Sequence, residues 1–178
     1  DLMAVLLGGA TALLPIYAKD ILHVGPLGLG ALRAAPAVGA LTCSVLMSHR
    51  PLHRRVGPIL MASVAVYGLC MLVFGISTSF GLSLAVLALS GAADMVSVVV
   101  RQTLMQLDTP DEIRGRVGAV NSIFIGASNQ LGEFESGAVA AWIGPVGSVV
   151  AGGVGTLLVV AAWCKLFPGL VRRDGFHD

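Results

Sequence analysis

Charged side chains are scarce in this sequence, and their scarcity excludes an ordinary soluble domain. Asp, Glu, Lys and Arg make up only 12% of the 178 residues, whereas soluble domains contain about 25%. Hydrophobic residues reach 56%, and the mean hydropathy is +0.87. A long basic face with interleaved aromatics is also lacking, so we expect no nucleic-acid partner. The composition instead predicts a polytopic membrane protein whose main partner is the lipid bilayer.

Cysteine and histidine are too scattered to form a metal site or a disulfide framework. The cysteines lie in apolar segments and the histidines in predicted loops or the tail: Cys43, Cys70, Cys164, His23, His49, His53 and His177. We expect the cysteines to be small buried hydrophobic residues. The sequence shows no phosphate loop and no arrangement of nucleophile and base. We therefore expect neither a cofactor nor an enzyme.

Long apolar runs dominate what is present. A helix needs roughly 20 such residues to cross a bilayer, and these runs lack the alternation of barrel strands. The predicted fold is therefore all-α, with residues 1–178 forming one six-helix membrane unit that ends in a tail at residues 168–178. The predicted spans cover about residues 2–18, 27–48, 57–76, 80–100, 117–143 and 146–167.

The basic residues lie almost entirely on one side of these spans. Of the eleven, only Lys19 lies on the opposite side, and Arg33 is embedded in a span. By the positive-inside rule the basic side is cytoplasmic, so both ends of this chain are predicted to face the cytoplasm. The nine remaining basic residues are Arg50, Arg54, Arg55, Arg101, Arg114, Arg116, Lys165, Arg172 and Arg173.

The embedded charges indicate an internal repeat of three spans. The third and sixth spans carry no charge in their cores. The second span contains Arg33, the fourth contains Asp94, and the fifth contains Glu133 and Glu135. Two groups of three spans, each ending in a charge-free helix, would have opposite orientations in the membrane. The pattern therefore predicts two inverted three-helix repeats, an arrangement common in transporters.

The most polar stretch inside a span is residues 128–137, where two carboxylates accompany an Asn-Gln pair. A charge at mid-membrane costs about 2.5–3.5 kcal/mol on insertion scales, so this helix needs shielding. At about 100° per residue, the polar residues fall on two strips. The first strip contains Ser122, Gly126, Asn129, Glu133, Ser136 and Gly137, and the second contains Asn121, Ser128, Gly132 and Glu135.

These two strips have two interpretations. The helix could line a pathway, with Glu133 as the leading contact for a substrate or a proton. Alternatively, its Ser, Asn and Gly residues could hold neighbouring helices together. For Glu133 we favour the pathway. For Glu135, a structural contact with a neighbouring helix is an equal alternative.

Two further sets of embedded or flanking charges are candidates. Arg33 cannot lose its proton, so it needs a carboxylate, backbone carbonyls, water or an anionic substrate group, and Glu133 lies at a similar predicted depth. Nearer the cytoplasm, an acid and three arginines predict either an ion-pair network or a proton-coupling site. This inner set consists of Asp94, Arg101, Arg114 and Arg116.

Four motifs carry a resemblance to a known family. They are Arg33–Leu41 (RAAPAVGAL), Gly91–Gln106 (GAADMVSVVVRQTLMQ), Thr109–Val117 (TPDEIRGRV) and Ser128–Gly137 (SNQLGEFESG). Together they resemble the C-terminal half of major facilitator superfamily transporters. The similarity is greatest to the transmembrane secretion effector group, which includes bacterial siderophore exporters such as enterobactin exporters, and it covers essentially the whole chain.

The resemblance implies twelve helices in two halves that work by alternating access, with this chain as the last six. It implies proton-coupled export of a small organic molecule, such as a siderophore or drug, across a bacterial inner membrane. The superfamily's Gly-x-x-x-Asp-Arg-x-Gly-Arg-Arg loop is only echoed here, by Arg54-Arg55 without the Asp. The coupling or transport candidates are Glu133, Arg33, Asn129, Glu135 and Ser122, and the inner-gate candidates are Asp94, Arg101, Arg114 and Arg116.

A different class of function stays open at this point. A six-helix module could scaffold or sense through partner helices without transporting anything. The sequence starts at Asp1 without an initiator methionine or a basic leader, and its first apolar run begins at once. This start does not fit a signal peptide. We expect further chain upstream, containing the N-terminal six-helix half as the partner of this one.

Overall fold

The computed structural model describes residues 9–49 and 56–166, and every regular element in these ranges is helical. Four long helices dominate, and each is long and apolar enough to cross a membrane. They are α1 (Pro26–His49), α2 (Val56–Ile76), α3 (Phe80–Asp108) and α4 (Asp111–Leu166). The chain is therefore an all-α, polytopic membrane protein.

A leading segment of irregular helical geometry precedes α1. It winds as a 3₁₀ stretch at Gly9–Leu13, an α-helical turn at Leu14–Ile16 and a π stretch at Tyr17–Ile21. Pro15 lies in the middle of this segment and lacks the N–H that a regular helix would use. The predicted first span therefore continues to Ile21 without forming one regular α-helix.

Helix α4 is not a straight rod, because the backbone leaves helical geometry at Gly144. There φ is 81° and ψ is 164°, a combination essentially restricted to glycine. The Ser148 hydroxyl donates a 2.8 Å hydrogen bond to the carbonyl oxygen of Ser136, although residues 12 apart on a straight helix are separated by about 18 Å. The chain thus folds back at the predicted break before Pro145, forming α4a (111–143) and α4b (145–166).

The predicted end of the fourth span is less accurate, because α3 continues eight residues beyond Val100. The capping-box sequence Thr109-Pro110-Asp111-Glu112 predicts a helix that begins near Pro110 and runs into the fifth span, and α4 does begin at Asp111. Hydropathy marks the part of a helix that suits lipid, whereas a helix continues as long as its backbone hydrogen bonds are satisfied. Several predictions lie outside the described residues. These are the start of the first span, the tail, and Arg50, Arg54, Arg55, Arg172 and Arg173.

Close crossings at glycines hold the helices together. A Cβ added at Gly39 of α1 would overlap the carbonyl oxygen of Ala88 in α3, and one added at Gly91 would overlap the carbonyl oxygen of Pro36. Between α2 and α4b, Gly68 faces Thr156 and Gly153 faces Leu72. Between α2 and α4b, residue numbers rise on one helix as they fall on the other, so these two helices are antiparallel, whereas α1 and α3 meet at a single close crossing. Such close backbone approach is typical of membrane helices with glycine at the crossing.

Tyr17 anchors the leading segment to the helices. Its side chain is fully buried, its ring stacks on Phe74 with centroids 4.7 Å apart, and its hydroxyl donates a 3.0 Å hydrogen bond to the carbonyl oxygen of Gly75. This bond satisfies the polar end of an otherwise apolar side chain. The surrounding core consists of Leu13, Leu14, Ala18, Leu32, Ala35, Met71, Leu87 and Val149.

The three cysteines do not share one environment. Cys70 is buried and Cys43 half-buried, but Cys164 is exposed, so the prediction that all three are buried is wrong for Cys164. Residues 161–166 are all exposed. The last turns of α4b thus extend beyond the helices against which its middle packs.

Candidate functional site

Helix α4a presents three faces, and small residues occupy the buried one. Ser128, Gly132 and Ser136 recur every four residues and are all buried. The Ser128 hydroxyl donates a 2.6 Å hydrogen bond to the carbonyl oxygen of Phe124, so it is satisfied within its own helix. Small residues at this spacing let neighbouring backbones approach closely. We call these three residues the packing face of α4a.

Large apolar side chains cover a second face of α4a, next to the packing face. They are between 55% and 90% exposed. A surface of this kind suits contact with lipid, where burial against other helices is not required. This apolar face consists of Ile123, Phe124, Leu131, Phe134 and Trp142.

The third face is polar and is also exposed. A Cβ added at Gly126 or Gly137 would meet no atom within 4 Å in the described part of the chain, so this surface is open. The Ser122 hydroxyl bonds the carbonyl oxygen of Gly118 at 3.0 Å, within its own helix. The polar face consists of Ser122, Gly126, Asn129, Glu133 and Gly137. It reproduces the first predicted strip except for Ser136, which is buried where α4b folds back and Ser148 bonds its carbonyl oxygen.

The two acids of the predicted stretch occupy different environments. Glu133 lies on the polar face and is exposed. Glu135 is half-buried, and its Oε2 atom is fully enclosed without a hydrogen-bond partner in the described part of the chain. It belongs to the second predicted strip, in which Ser128 and Gly132 are buried and Asn121 is half-buried. The first predicted strip is therefore open, and the second is partly or fully buried against other helices.

Arg33 lies on the outer side of α1. Its neighbours Leu32, Ala35 and Gly39 form the buried side of that helix, while Arg33 itself is exposed. Among residues 9–49 and 56–166, no ion pair joins Arg33 to Glu133. The suggested pairing of these two groups is therefore not formed in this conformation.

Arg114, one of the inner-gate candidates, forms its contacts within its own helix and the turn before it. Arg114 pairs with Asp111 three residues earlier and donates a 3.2 Å hydrogen bond to the carbonyl oxygen of Thr109. Asp111 lies one turn from Arg114 on the same helix, whereas Asp94 lies on α3. Arg116 is exposed. Within residues 9–49 and 56–166, no ion pair joins Arg114 to Asp94.

Arg101 and Asp94 lie two turns apart on α3. The Arg101 Nε donates a 3.2 Å hydrogen bond to the carbonyl oxygen of Ser97. The Asp94 carboxylate lies within electrostatic reach of the Tyr67 hydroxyl on α2. Tyr67 is not among the residues predicted from the sequence. The sequence does contain a feature that distinguishes it, because it is one of only two tyrosines and lies in a span without charges.

These observations define a multi-pass α-helical membrane protein in which one helix presents a polar, open face inside an apolar span. In the described ranges, no three His, Cys, Asp or Glu side chains come together as a metal site would require. The distinctive chemistry of the described chain therefore lies in its intramembrane charges and the polar face of α4a.

Comparison with known families agrees with the resemblance. The profile of the transmembrane secretion effector family matches residues 4–171, nearly the full length. The chain belongs to this family of major facilitator superfamily exporters, which confirms the resemblance inferred from the four motifs. No solved structure matches the chain.

Curated relatives carry the name enterobactin exporter. The Citrobacter koseri protein is 31% identical over 156 residues, which are 85% of this chain and 36% of the relative. The Shigella flexneri protein is 30% identical over 165 residues, covering 86% of this chain and 39% of the relative. An Escherichia coli protein is 30% identical over 124 residues, or 69% of this chain. The matches thus span between 29% and 39% of the relatives' length.

Proposed function

We propose that this chain is the C-terminal half of a proton-coupled secondary exporter. The exporter moves a small organic molecule, of the siderophore or drug-like class, out of a bacterial cytoplasm across the inner membrane. The observation that carries the proposal is the polar face of α4a. It lies in an apolar span, nothing in the described chain covers it, and an intramembrane carboxylate marks it. Polar groups at such a depth normally face a cavity or a partner helix.

The family supports this assignment. Relatives across 85% of the chain are named exporters, and their additional length could supply a second wall opposite the polar face. In alternating access, two such walls rock about a substrate held between them. The polar face of α4a is then one wall of the pathway, and the apolar face contacts lipid.

The six-helix arrangement belongs to the same proposal. The leading segment, α1 and α2 form one triplet, and α3, α4a and α4b form the second in the opposite orientation. Helices α1 and α3 cross closely, as contact between the triplets requires. With the basic side in the cytoplasm, both ends of this chain are cytoplasmic.

The candidates on the polar face, on α1 and near the cytoplasm receive separate roles. Ser122, Asn129 and Glu133 contact the substrate along the pathway, and Arg33 binds an anionic group of the substrate or the opposite half. Nearer the cytoplasm, polar groups on α3 and at the start of α4 form the gate that closes the inner side. The gate residues are Asp94, Arg101, Arg114 and Arg116.

A transport assay on the complete protein tests this function. Inside-out membrane vesicles with an acidic interior would receive a panel of radiolabelled siderophores and drugs. We expect at least one compound to accumulate, with accumulation abolished by a protonophore, because protons leaving the vesicle would drive substrate in. Vesicles lacking the protein are the control. If no compound accumulated above this control while a purified partner protein bound the six-helix unit, the scaffold or sensor function would replace the exporter.

A further inference from the structure

A basic side chain interrupts the exposed apolar side of α4a near the start of the helix. Ile113 and Val120 are 43% and 53% exposed, and Arg116 between them is exposed as well. At about 100° per residue, these three residues fall within about 50° of the line along which the apolar face runs. The apolar face continues that line through Ile123, Phe124, Leu131, Phe134 and Trp142. Between Ile113 and Trp142, Arg116 is the one charged residue on this side of the helix.

The spacing along this side of α4a matches the layers of a bilayer. Val120 and Trp142 are separated by about 33 Å of helix, and the hydrocarbon core of a bilayer is about 30 Å thick. Arg116 lies one turn further, about 39 Å from Trp142, and a bilayer with its headgroups measures about 40–45 Å. Trp142 is 90% exposed, and tryptophan is enriched at membrane surfaces. The spacing therefore places Trp142 at one surface of the membrane and the Arg116 guanidinium among the headgroups of the other.

Helix α4b reaches the same headgroup layer independently. The two parts of α4 are joined by the hydrogen bond from the Ser148 hydroxyl to the Ser136 carbonyl oxygen. From this contact, Arg116 lies about 30 Å back along α4a, and Lys165 lies about 25 Å forward along α4b. Lys165 is exposed, and Trp163 near it is 36% exposed. Both parts of α4 thus carry a basic group at nearly the same depth, opposite the end where the chain folds back.

The charged neighbours of Arg116 do not neutralise it. Within residues 9–49 and 56–166 Arg116 forms no ion pair, although Glu112 lies four residues before it. Arg114 lies on another side of the helix, about 130° from the middle of the apolar face, and it pairs with Asp111. The two arginines therefore differ, because the protein itself supplies an anion to Arg114 but not to Arg116. A guanidinium keeps its charge at any physiological pH and suits an oxygen anion from outside the chain.

We propose that Arg116 binds the phosphate group of an anionic phospholipid whose acyl chains lie along the apolar face of α4a. The planar guanidinium can donate two parallel hydrogen bonds to phosphate oxygens. Its aliphatic stem can lie along apolar surface while the charge reaches the headgroups. This binding does not depend on the exporter function. Its contribution to the proposed inner gate is to hold the start of α4a at the membrane surface, which is cytoplasmic in the proposed orientation.

Native mass spectrometry of the complete protein, delipidated in detergent and titrated with phosphatidylglycerol, tests the site. We expect Arg116→Gln to weaken phosphatidylglycerol binding about fivefold, the effect of one basic side chain near an anionic surface, and Arg116→Lys to keep most of the binding. Arg114→Gln is the matched control and should change binding by less than about twofold, because its charge is already paired. Equal losses in Arg116→Gln and Arg114→Gln, or no loss in Arg116→Gln, would overturn the proposal.

Spin labels test whether lipid or another part of the protein covers this side of α4a. Single cysteines would replace Val120, Leu131 and Trp142 in complete protein lacking its native cysteines, reconstituted in vesicles of phosphatidylcholine and phosphatidylglycerol. Dissolved oxygen concentrates at the bilayer centre, and a nickel chelate stays in water. We expect the Leu131 label to collide mainly with oxygen, and the other two labels to lie near the two surfaces. If neither reagent reached the Val120 and Leu131 labels, a protein helix would cover this side and the lipid site would be wrong. Neither measurement needs a transported compound, so this proposal and the exporter function can fail separately.

Discussion

Replacing Gly39 by alanine is expected to destabilise the protein by about 3 kcal/mol, at the upper end of the usual cost of overpacking. The added Cβ would overlap the carbonyl oxygen of Ala88 on α3. A backbone oxygen cannot rotate away as a flexible side chain can, so α1 and α3 must separate. The same reasoning applies to Gly91, whose added Cβ would overlap the carbonyl oxygen of Pro36.

Gly30→Ala is the matched control, since it lies on the same helix. A Cβ at Gly30 meets no described atom within 4 Å. Alanine is intrinsically better in a helix than glycine by roughly 0.5–1 kcal/mol, so this variant should be neutral or slightly stabilising. The two substitutions are chemically identical, and only the crossing distinguishes them.

Thermal unfolding of the purified complete protein in detergent measures the difference. We expect the apparent Tm of Gly39→Ala to fall by about 5 °C or more and that of Gly30→Ala to stay within about a degree of wild type. Equal Tm values for the two variants would show that α1 and α3 do not cross at Gly39.

Asn129→Trp is expected to lower export by about tenfold or more, because a bulky ring would obstruct a pathway that small polar side chains line. Asn129 lies in the middle of the polar face, between the open positions Gly126 and Gly137. The protein should still fold, since the face is exposed and the ring meets no described neighbour. Surface expression and the elution profile in detergent would check the folding.

Ile123→Trp is the control for size. Ile123 is 70% exposed on the apolar face of the same helix, where an aromatic ring can lie against lipid. Initial rates of substrate accumulation in vesicles should therefore change by less than about twofold for this variant, as expected for an exposed site remote from the pathway. Comparable losses for both variants would argue that the polar face is not a pathway wall.

The main features of the fold could be predicted from the sequence because they follow from hydropathy. Apolar runs of membrane-spanning length became helices, and Gly144 with Pro145 marked the fold-back in α4. The extension of α3 to Asp108 could not be predicted in this way, whereas the capping-box sequence at Thr109–Glu112 predicts the start of α4 near Pro110. Hydropathy reports where lipid begins, while helix ends depend on local hydrogen bonds and capping.

The candidate site was only partly predictable. Periodicity placed polar residues on two strips of α4a, but it could not say which strip packs against other helices. The structure shows Ser128 and Gly132 buried and Asn129 and Glu133 exposed. That choice depends on how closely neighbouring backbones approach, which is a tertiary property. The enclosure of the Glu135 Oε2 atom also depends on tertiary packing and has no signature in the sequence.

Cysteine accessibility tests the central claim, that the polar face of α4a lines a transport pathway. Single cysteines would replace Asn129 and Ser122 on the polar face, and Leu131 and Phe134 on the apolar face, in complete protein lacking its native cysteines. A membrane-impermeant thiol reagent should modify the polar-face positions, and a transported substrate should slow this reaction. The apolar-face positions should resist the reagent whether or not substrate is present. Equal modification of both faces, or no protection by a transported substrate, would contradict the account.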